Sequence, residues 1–495
     1  MGIKTFFNRV KKGVMAGMNV IKEQDQTLTD GRILYLIDQF NRSARRAWMF
    51  VGRQYYQVDN DILNRQITKM VEGQKVEETG KANNKLAHGK YKTQVDEKVS
   101  YLLSKPYTLK CEDERYADKV KDTLGSKFGY NLSLLGYEAS NCSIGWLLPY
   151  IDEQGHFQTM VVPSEQCIPE WTDSSHTELA SMIRVYDTQV WEYNRKKTIH
   201  NVEYWTPTSY QRFVNQSNLL VPYTYDGEPE NGPVAHFQRG QQWQGWGRVP
   251  FIPFKNNHVE IPDIKFLKSL LDQYDLSRSE AANYVEEVKN LIFILKGYGG
   301  EDIHEFMKIL NEDRAIPIDD PQEGGVEALT PTMDITALRE HYEQLKRDIV
   351  EDGQSINKDL DKFGNNPSGV ALKFMYAGLD LKADALETQF RQGFEQLLYF
   401  VNRYLELTEG KNYDDQDVEI LFNRNMKVNE AEIINNCVVS KTLISEKTIL
   451  AHHPYVTDVE EELQELEKQE EKQANDEIPI QPLPIDEDAH EQEDE

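Results

Sequence analysis

The stretch that decides the fold is NPSGVALKFMYAGLDLKADALETQFRQGFEQLLYFVNRYLEL, residues Asn366–Leu407. Leu372, Met375, Leu379, Leu386, Phe390, Phe394, Leu397, Val401 and Leu405 recur every three to four residues, the period of one helix face. Asn366 and Ser368 suit an N-cap, and Pro367 suits a helix start. No proline interrupts the pattern before the polar run Thr408–Asn412. About 38 helical residues at 1.5 Å each would span roughly 57 Å, against a usual helix of about 11–12 residues. Val370, Leu381, Leu398, Phe400 and Tyr404 lie off the main stripe, so contacts on more than one side are expected. This helix reads as a spine.

Working outward, 495 residues exceed one hydrophobic core, and two to four substructures are expected. The formal charge is −28. Residues 458–495 hold 17 Asp and Glu against 2 Lys, so the remainder carries −13. An acidic body argues against tight, non-specific wrapping of nucleic acid, because phosphate binding rests on Lys and Arg. It is compatible with a surface past which DNA slides without sticking. Cys111, Cys142, Cys167 and Cys437 are scattered, with no C-x-x-C pair, so neither a zinc site nor a disulfide framework is indicated. The opening MGIKTFFNRVKKG has no uninterrupted apolar core, and a soluble protein made in a reducing cytoplasm is expected.

Before the spine, residues 1–80 read as mostly helical, with a basic amphipathic segment around Phe6, Phe7 and Val10. In 83–109, Leu86, Val95, Val99, Leu102 and Leu103 share a helix face that Ser104–Pro106 stops. Glu114–Tyr137 continues as helix. From Ile144 to Phe254 short alternating segments take over, among them Trp146–Ile151, Phe157–Val162, Met182–Tyr186, Val190–Tyr193, His200–Trp205, Gln211–Val214 and Leu219–Tyr223. Turn clusters at Asp152–Gly155 and Asp226–Gly232 separate them, which indicates an antiparallel β region. Pro262–Lys289 returns to helix. Then come a strand at Leu291–Leu295, a short helix at Asp302–Asn311, strands at Ala315–Ile318 and Gly325–Leu329, and a helix at Ile335–Glu351. Asn357–Asn366 is a polar loop into the spine. Val418–Phe422 reads as a strand, 427–473 as short helices, and 474–495, acidic with Pro479, Pro482 and Pro484, as disordered.

Catalytic patterns are missing from the sequence. There is no G-x-x-x-x-G-K-[ST] phosphate loop, no strand–G-x-G-x-x-G–helix unit and no G-x-S-x-G elbow. His304–Lys308 (HEFMK) lacks a second histidine one helical turn on, and the adjacent pair His452–His453 points to different sides. Glu460–Glu462 reads as solvated charge rather than a nuclease metal site. No enzyme, cofactor or metal is expected.

Several segments resemble portal proteins of long-tailed, double-stranded DNA bacteriophages, in particular the siphophage type. They are NNKLAHGKYKTQVDEKVSYLLSKP (83–106), GRVPFIPFKNN (247–257), PDIKFLKSLLDQYD (262–275), LIFILKGYGGED (291–302), SGVALKFMYAGLDLKADALE (368–387) and LISEKTILAHHPYVTDVEEELQEL (443–466). The resemblance spans most of 83–466 in one order and rests on the set, not on any single motif. It implies an α+β, mainly helical portal fold of wing, stem, clip and crown, assembled as a ring, usually of twelve, around a channel.

On that pattern, 1–82, 83–143, the β-rich 144–258 and the strand region 409–426 are wing. The helices 259–289 and 335–356 are stem, 290–334 is the clip, 357–367 the tunnel loop, 368–408 the spine, 427–473 the crown and 474–495 a disordered acidic tail. The tunnel loop would present Asn357, Lys358, Asp359, Leu360, Asp361, Lys362, Phe363 and Asn365 at the constriction. Its two lysines against two aspartates would let DNA pass without a strong binding step. Leu360 and Phe363 suit either packing on a neighbouring loop or local anchoring. Lys265, Lys268, Arg339, Lys346 and Arg347 are the candidate phosphate contacts of the stem, with ordinary helix-surface charge as the alternative. In the clip, Phe293, Lys296, Glu301, Arg314, Glu323 and Glu327 would face the terminase large subunit and the head-to-tail adaptor. Scaffold and major capsid protein are the other implied partners, and the implied site of action is the capsid vertex of the virion. Two competing functions fit the sequence less well: another head-morphogenesis or scaffold-associated protein, and a metal-dependent DNA-processing enzyme.

Overall fold

A computed structural model describes residues 29–78, 81–192, 194–225, 232–240, 242–287, 292–296, 304, 325–329, 335–356, 369–425, 430–456 and 459–476. The chain divides into two compact units, 1–357 with 376–425, and 358–375 with 426–495.

The spine is real and slightly longer than expected: one helix runs Gly369–Glu409, 41 residues. Leu379, Ala383, Leu386, Phe390, Phe394, Leu397, Val401 and Leu405 are buried along one stripe. Of the off-stripe groups, Phe400 is buried and Leu398 and Tyr404 are half-buried, whereas Val370 and Leu381 are exposed. The second face is therefore used only in the C-terminal half. There Phe400 meets Trp246 edge-on at 5.6 Å, while on the main stripe Phe390 meets Phe254 at 5.1 Å.

Around the spine the first unit begins with helices α1 (Thr29–Asn41) and α2 (Ala44–Tyr56). The latter is capped by Ser43, whose hydroxyl accepts from the Arg46 N–H at 3.2 Å. A hairpin of β1 (Thr68–Val71) and β2 (Gln74–Glu77) follows. The expected helical character fails here: Glu72 and Gly73 both take positive φ, +50° and +83°, and close a two-residue turn. Every residue of the hairpin is exposed, so no buried face marked its period in the sequence.

Next come α3 (Lys90–Leu103), β3 (Thr108–Cys111), α4 (Glu114–Leu124) and α5 (Phe128–Cys142). The single helix expected over 114–137 breaks at Gly125, φ +68°. The helix expected from residue 83 starts only at Lys90.

The β region contains two sheets. β14 (Ile252–Lys255), β4 (Ile144–Ile151) and β5 (Phe157–Val162) make a three-stranded antiparallel sheet. The larger sheet runs β10 (Leu219–Tyr223), β9 (Ser209–Gln216), β8 (Arg195–Trp205), β7 (Leu179–Glu192) and β6 (Cys167–Trp171), with β11 (Val234–Ala235) on β9. The expected 182–186 and 190–193 segments fuse into β7, and β6 went unforeseen. Ile33, Ile37 and Phe40 of α1 pack with Ile168, Ile183, Val202 and Phe213, so α1 covers one sheet face. β12 (Phe237–Arg239) and β13 (Gln242–Gln244) form a short ribbon.

A helical hairpin follows: α6 (Ile264–Glu287), β15 (Ile292–Lys296), β16 (Gly325–Leu329) and α7 (Ile335–Asp352). The spine is α8, and β17 (Val418–Leu421) after it pairs antiparallel with β3. The main core joins α2 to α8, β4, β5, β14 and β17 through residues such as Tyr55, Val99, Tyr116, Phe128, Ile252, Leu271 and Ile349. The second unit holds α9 (Glu430–Ser440), α10 (Glu446–His452) and α11 (Val459–Asp476), with α10 capped by Ser445. The segment 4–12, the elements expected at 302–311 and 315–318, the loop 357–366 and the tail beyond 476 lie outside the described residues.

Candidate functional site: the helical hairpin and its base

α6 and α7 pack on each other. Tyr342 donates from its hydroxyl to the Ser277 carbonyl at 3.3 Å, and the Arg278 guanidinium sits 5.1 Å from the Tyr342 ring centroid. Ile264, Leu267 and Leu271 of α6 and Leu345 and Ile349 of α7 are buried. Each helix carries three Lys or Arg against five Asp or Glu. Neither helix therefore presents a net basic surface.

The five candidate stem cations differ in availability. Lys265 is exposed, its ammonium 6.0 Å from the Trp48 ring centroid. Arg339, Lys346 and Arg347 are exposed on α7; Lys346 pairs with Glu343 at 3.3 Å, and Arg347 Nε donates to the Glu343 carbonyl at 3.2 Å. Lys268 is committed elsewhere. Its ammonium binds Asp61 at 2.6 Å and Asp272 at 2.7 Å and lies 5.1 Å from the Tyr55 ring centroid. Those contacts hold its pKa above the ordinary lysine value although burial opposes them.

At the far end, β15 and β16 pair antiparallel, with Phe293 opposite Ala328, Ile294 opposite Glu327 and Lys296 opposite Gly325. Glu301, Arg314 and Glu323, and the whole loop Asn357–Asn365, lie outside the described residues.

At the base, both ends of the hairpin converge on one buried charge cluster. Asp263 immediately precedes α6, where a carboxylate is favoured by the helix dipole. It accepts from Lys98 at 2.6 Å and from Asn256 at 2.8 Å, and it pairs with Lys382 of the spine at 3.2 Å. The same Lys382 donates to the Gly353 carbonyl at 2.9 Å, just past the end of α7. Gln94 of α3 adds a bond to the Ile349 carbonyl at 2.8 Å. One spine lysine thus ties the start of α6 to the end of α7.

The electrostatics are lopsided. Burial raises the Asp263 pKa, but the two lysines and Asn256 outweigh it and hold the carboxyl far below its usual range. Lys98 is pushed down to about 8 by burial and by the like charge of Lys382, more than Asp263 restores.

A second device fixes α6. Side chains at Asp275, Ser279 and Asn283, four residues apart on one face, accept from the backbone N–H groups of His88 (3.2 Å), Leu86 (2.9 Å) and Asn84 (2.6 Å). His88 Nδ1 lies 2.7 Å from Asp275, and Asn60 donates to the same carboxylate at 2.5 Å. Residues 83–88 are therefore a non-helical strap, because the amide donors of Asn84, Leu86 and His88 are taken by α6 rather than by a helix of their own. That is why α3 begins at Lys90.

Sequence reading missed Lys98, Asp263, Lys382 and Gln94. The signal for Lys98 was present: it interrupts the buried face Tyr91, Val95, Val99, Leu102. Among the described residues, one group has metal-ligand spacing, Glu138, Cys142 and Glu165. Arg53 already binds both carboxylates, at 2.8 and 2.7 Å, and burial pushes the Cys142 thiol well up. A thiol held protonated and carboxylates neutralised by a guanidinium make a poor cation site.

The family model "Phage portal protein, SPP1 Gp6-like" matches residues 35–476. A portal protein of Bacillus phage SPP1 is 28% identical over 471 residues, 94% of this chain and 90% of that one. A portal protein of Clostridium phage phiCD119 is 32% identical over 434 residues, 85% of this chain and 92% of that one. A chain from a structure described as "Neck of native GTA particle computed with C12 symmetry" overlays 74% of this chain and 89% of its own length at 9% identity; its TM-score of 0.35 carries no argument.

Proposed function

Because the chain belongs to the SPP1 Gp6-like family of phage portal proteins, we propose that copies of it close into a ring whose axial channel conducts double-stranded DNA into the capsid and out again. The ring is the virion's portal vertex and the platform on which the terminase large subunit and then the head-to-tail adaptor dock. Scaffold and major capsid protein surround it during assembly. A heterologous contact repeated around a closed rotation gives such a ring.

In this reading α6 and α7 form the stem, and their acid-balanced surface serves as channel wall. Lys265, Arg339, Lys346 and Arg347 make transient phosphate contacts, with Lys268 the weakest candidate because two aspartates already hold it. β15, β16 and the chain between them form the clip, with Phe293, Lys296, Glu301, Arg314, Glu323 and Glu327 at the docking surface. The loop 357–367 reaches the constriction, α8 crosses the wing, and 427–473 make the crown. The portal itself does no chemistry: the docked terminase supplies the ATP-driven force, and the ring guides and retains the duplex. Among the described residues no helix is long and apolar enough to cross a membrane, and no membrane partner is assigned.

The observation that carries the reading is the family match over residues 35–476. Negative-stain microscopy of the purified chain tests the ring, and solid particles or monomers refute it. Deleting Asp359–Asn365 should leave rings intact and lower packaged DNA; undiminished packaging removes that loop from the mechanism. ATP hydrolysis by the protein alone would contradict the passive role.

A further inference from the structure

The β7–β8 ribbon outruns its sheet. β6 pairs with β7 only as far as Arg184, and β9 pairs with β8 only from Asn201. Asp187–Glu192 and Arg195–His200 therefore pair with each other alone, six residues a strand, closing at Asn194 with φ +62°. At about 3.4 Å per residue the arm projects roughly 20 Å. All of Asp187–Glu192 is exposed, and so is its partner strand apart from half-buried Ile199.

A lone two-stranded ribbon is marginal in water, and this one spends its apolar groups outward. Trp191 is 72% exposed, an unusual state for so large a ring. It stands opposite Lys196, whose ammonium lies 5.7 Å from the indole centroid. On the other face Val190 stands opposite Lys197, which pairs with Glu192 at 2.8 Å. Within the arm, Arg195, Lys196 and Lys197 outnumber Asp187 and Glu192, in a chain of net charge −28. An exposed tryptophan with one lysine over its ring, and two more cations on the reverse face of the ribbon, has the composition of an interface anchor.

We propose that this arm is an intersubunit grip: Trp191, Arg195, Lys196 and Lys197 of one copy seat on an acidic surface of the adjacent copy. The inference rests on the ring reading above. Charge complementarity selects the occupant, since even without residues 458–495 the chain carries −13, and ring closure holds a neighbouring copy at high effective concentration. The contact is salt-sensitive because the three cations of the arm are exposed to solvent.

The test uses the full-length chain, as wild type, as Trp191→Ala, and as the double variant Lys196→Glu with Lys197→Glu. Native mass spectrometry across a concentration series reads ring assembly, and circular dichroism reads the fold. Equal mixtures of ¹⁴N and ¹⁵N wild-type chains are also treated with a carbodiimide that joins lysines to touching carboxylates. Both variants should keep the wild-type melting curve and need at least tenfold more protein for half-assembly. Mixed-label cross-links should run from Lys196 or Lys197 to carboxylates of a second copy. Variants that assemble like wild type, or arm cross-links confined to one chain, overturn the grip and leave the ring standing. Variants that assemble normally but lose duplex retention would assign the arm to DNA instead. If wild-type chains form no ring, the portal reading fails, and mixed-label arm cross-links in the smaller species still decide the grip.

Discussion

Replacing Asp263 by Asn removes one negative charge and little volume from the base of the helical hairpin. The carboxylate faces Lys98 at 2.6 Å and Lys382 at 3.2 Å, and Lys98 is only 1% exposed. The variant leaves two ammonium groups without a counter-ion, one fully buried. Breaking a buried pair from one side costs about 3–5 kcal/mol. The opposite change, Lys98→Met, should behave differently. A fall from 10.5 to about 8 corresponds to about 3 kcal/mol against the charged lysine, and Asp263 keeps Lys382 and Asn256 when Lys98 is gone. Lys98→Met should therefore be neutral or stabilising. Amide hydrogen exchange resolves the effect locally. In Asp263→Asn, protection at the first turns of α6 and the last turn of α7 should drop roughly 10²–10³-fold, and in Lys98→Met it should hold. pH supplies an independent check. Between about 8 and 10.5 the folded chain has released the Lys98 proton and the unfolded chain still holds it, so this component of stability rises with pH. Lys98→Met abolishes that rise. The Asp263 component has the opposite acid limit: it is fully present above the ordinary aspartate pKa of 3.8 and is lost as pH falls below it. Equal destabilisation by the two variants, or unchanged exchange in Asp263→Asn, would refute the lopsided balance.

Two further substitutions probe the supports of the hairpin. A Cβ at Gly353 would stand 2.1 Å from Gln94 Oε1; Gly353→Ala should displace Gln94, cost the bond to Ile349 and destabilise by about 1 kcal/mol, read from chemical denaturation, with Gln94→Ala showing no additional loss in the double variant. Ser279→Ala removes the acceptor of the Leu86 N–H, so that amide should exchange roughly tenfold faster while α3 amides keep their rates.

What the sequence could reveal follows from where its signals are local. The spine and the strands Phe157–Val162, Leu219–Tyr223 and Gly325–Leu329 announce themselves because period and flanking turn residues sit in one window. The strap at 83–88 does not. Its Ala, Leu and Lys favour helix, and only acceptors nearly 200 positions away redirect its amides. The hairpin Thr68–Glu77 is exposed on both faces, so no apolar alternation marks it. The base cluster was half legible: Lys98 inside an apolar stripe demands a counter-ion, but nothing nearby names Asp263 as that partner or Lys382 as its second cation. The phage-portal resemblance supplied the functional reading that no local motif carried.

The strap also limits how the hairpin can rearrange. Rotation of α6 about its own axis would tear away three acceptors at once, since Asp275, Ser279 and Asn283 lie on one line along the helix. A swing of the pair about its foot leaves that ladder whole only if the strap, which runs directly into α3, moves with α6. A channel built from such hairpins would change bore by leaning its staves rather than by turning them, and would keep the same side chains toward its lumen.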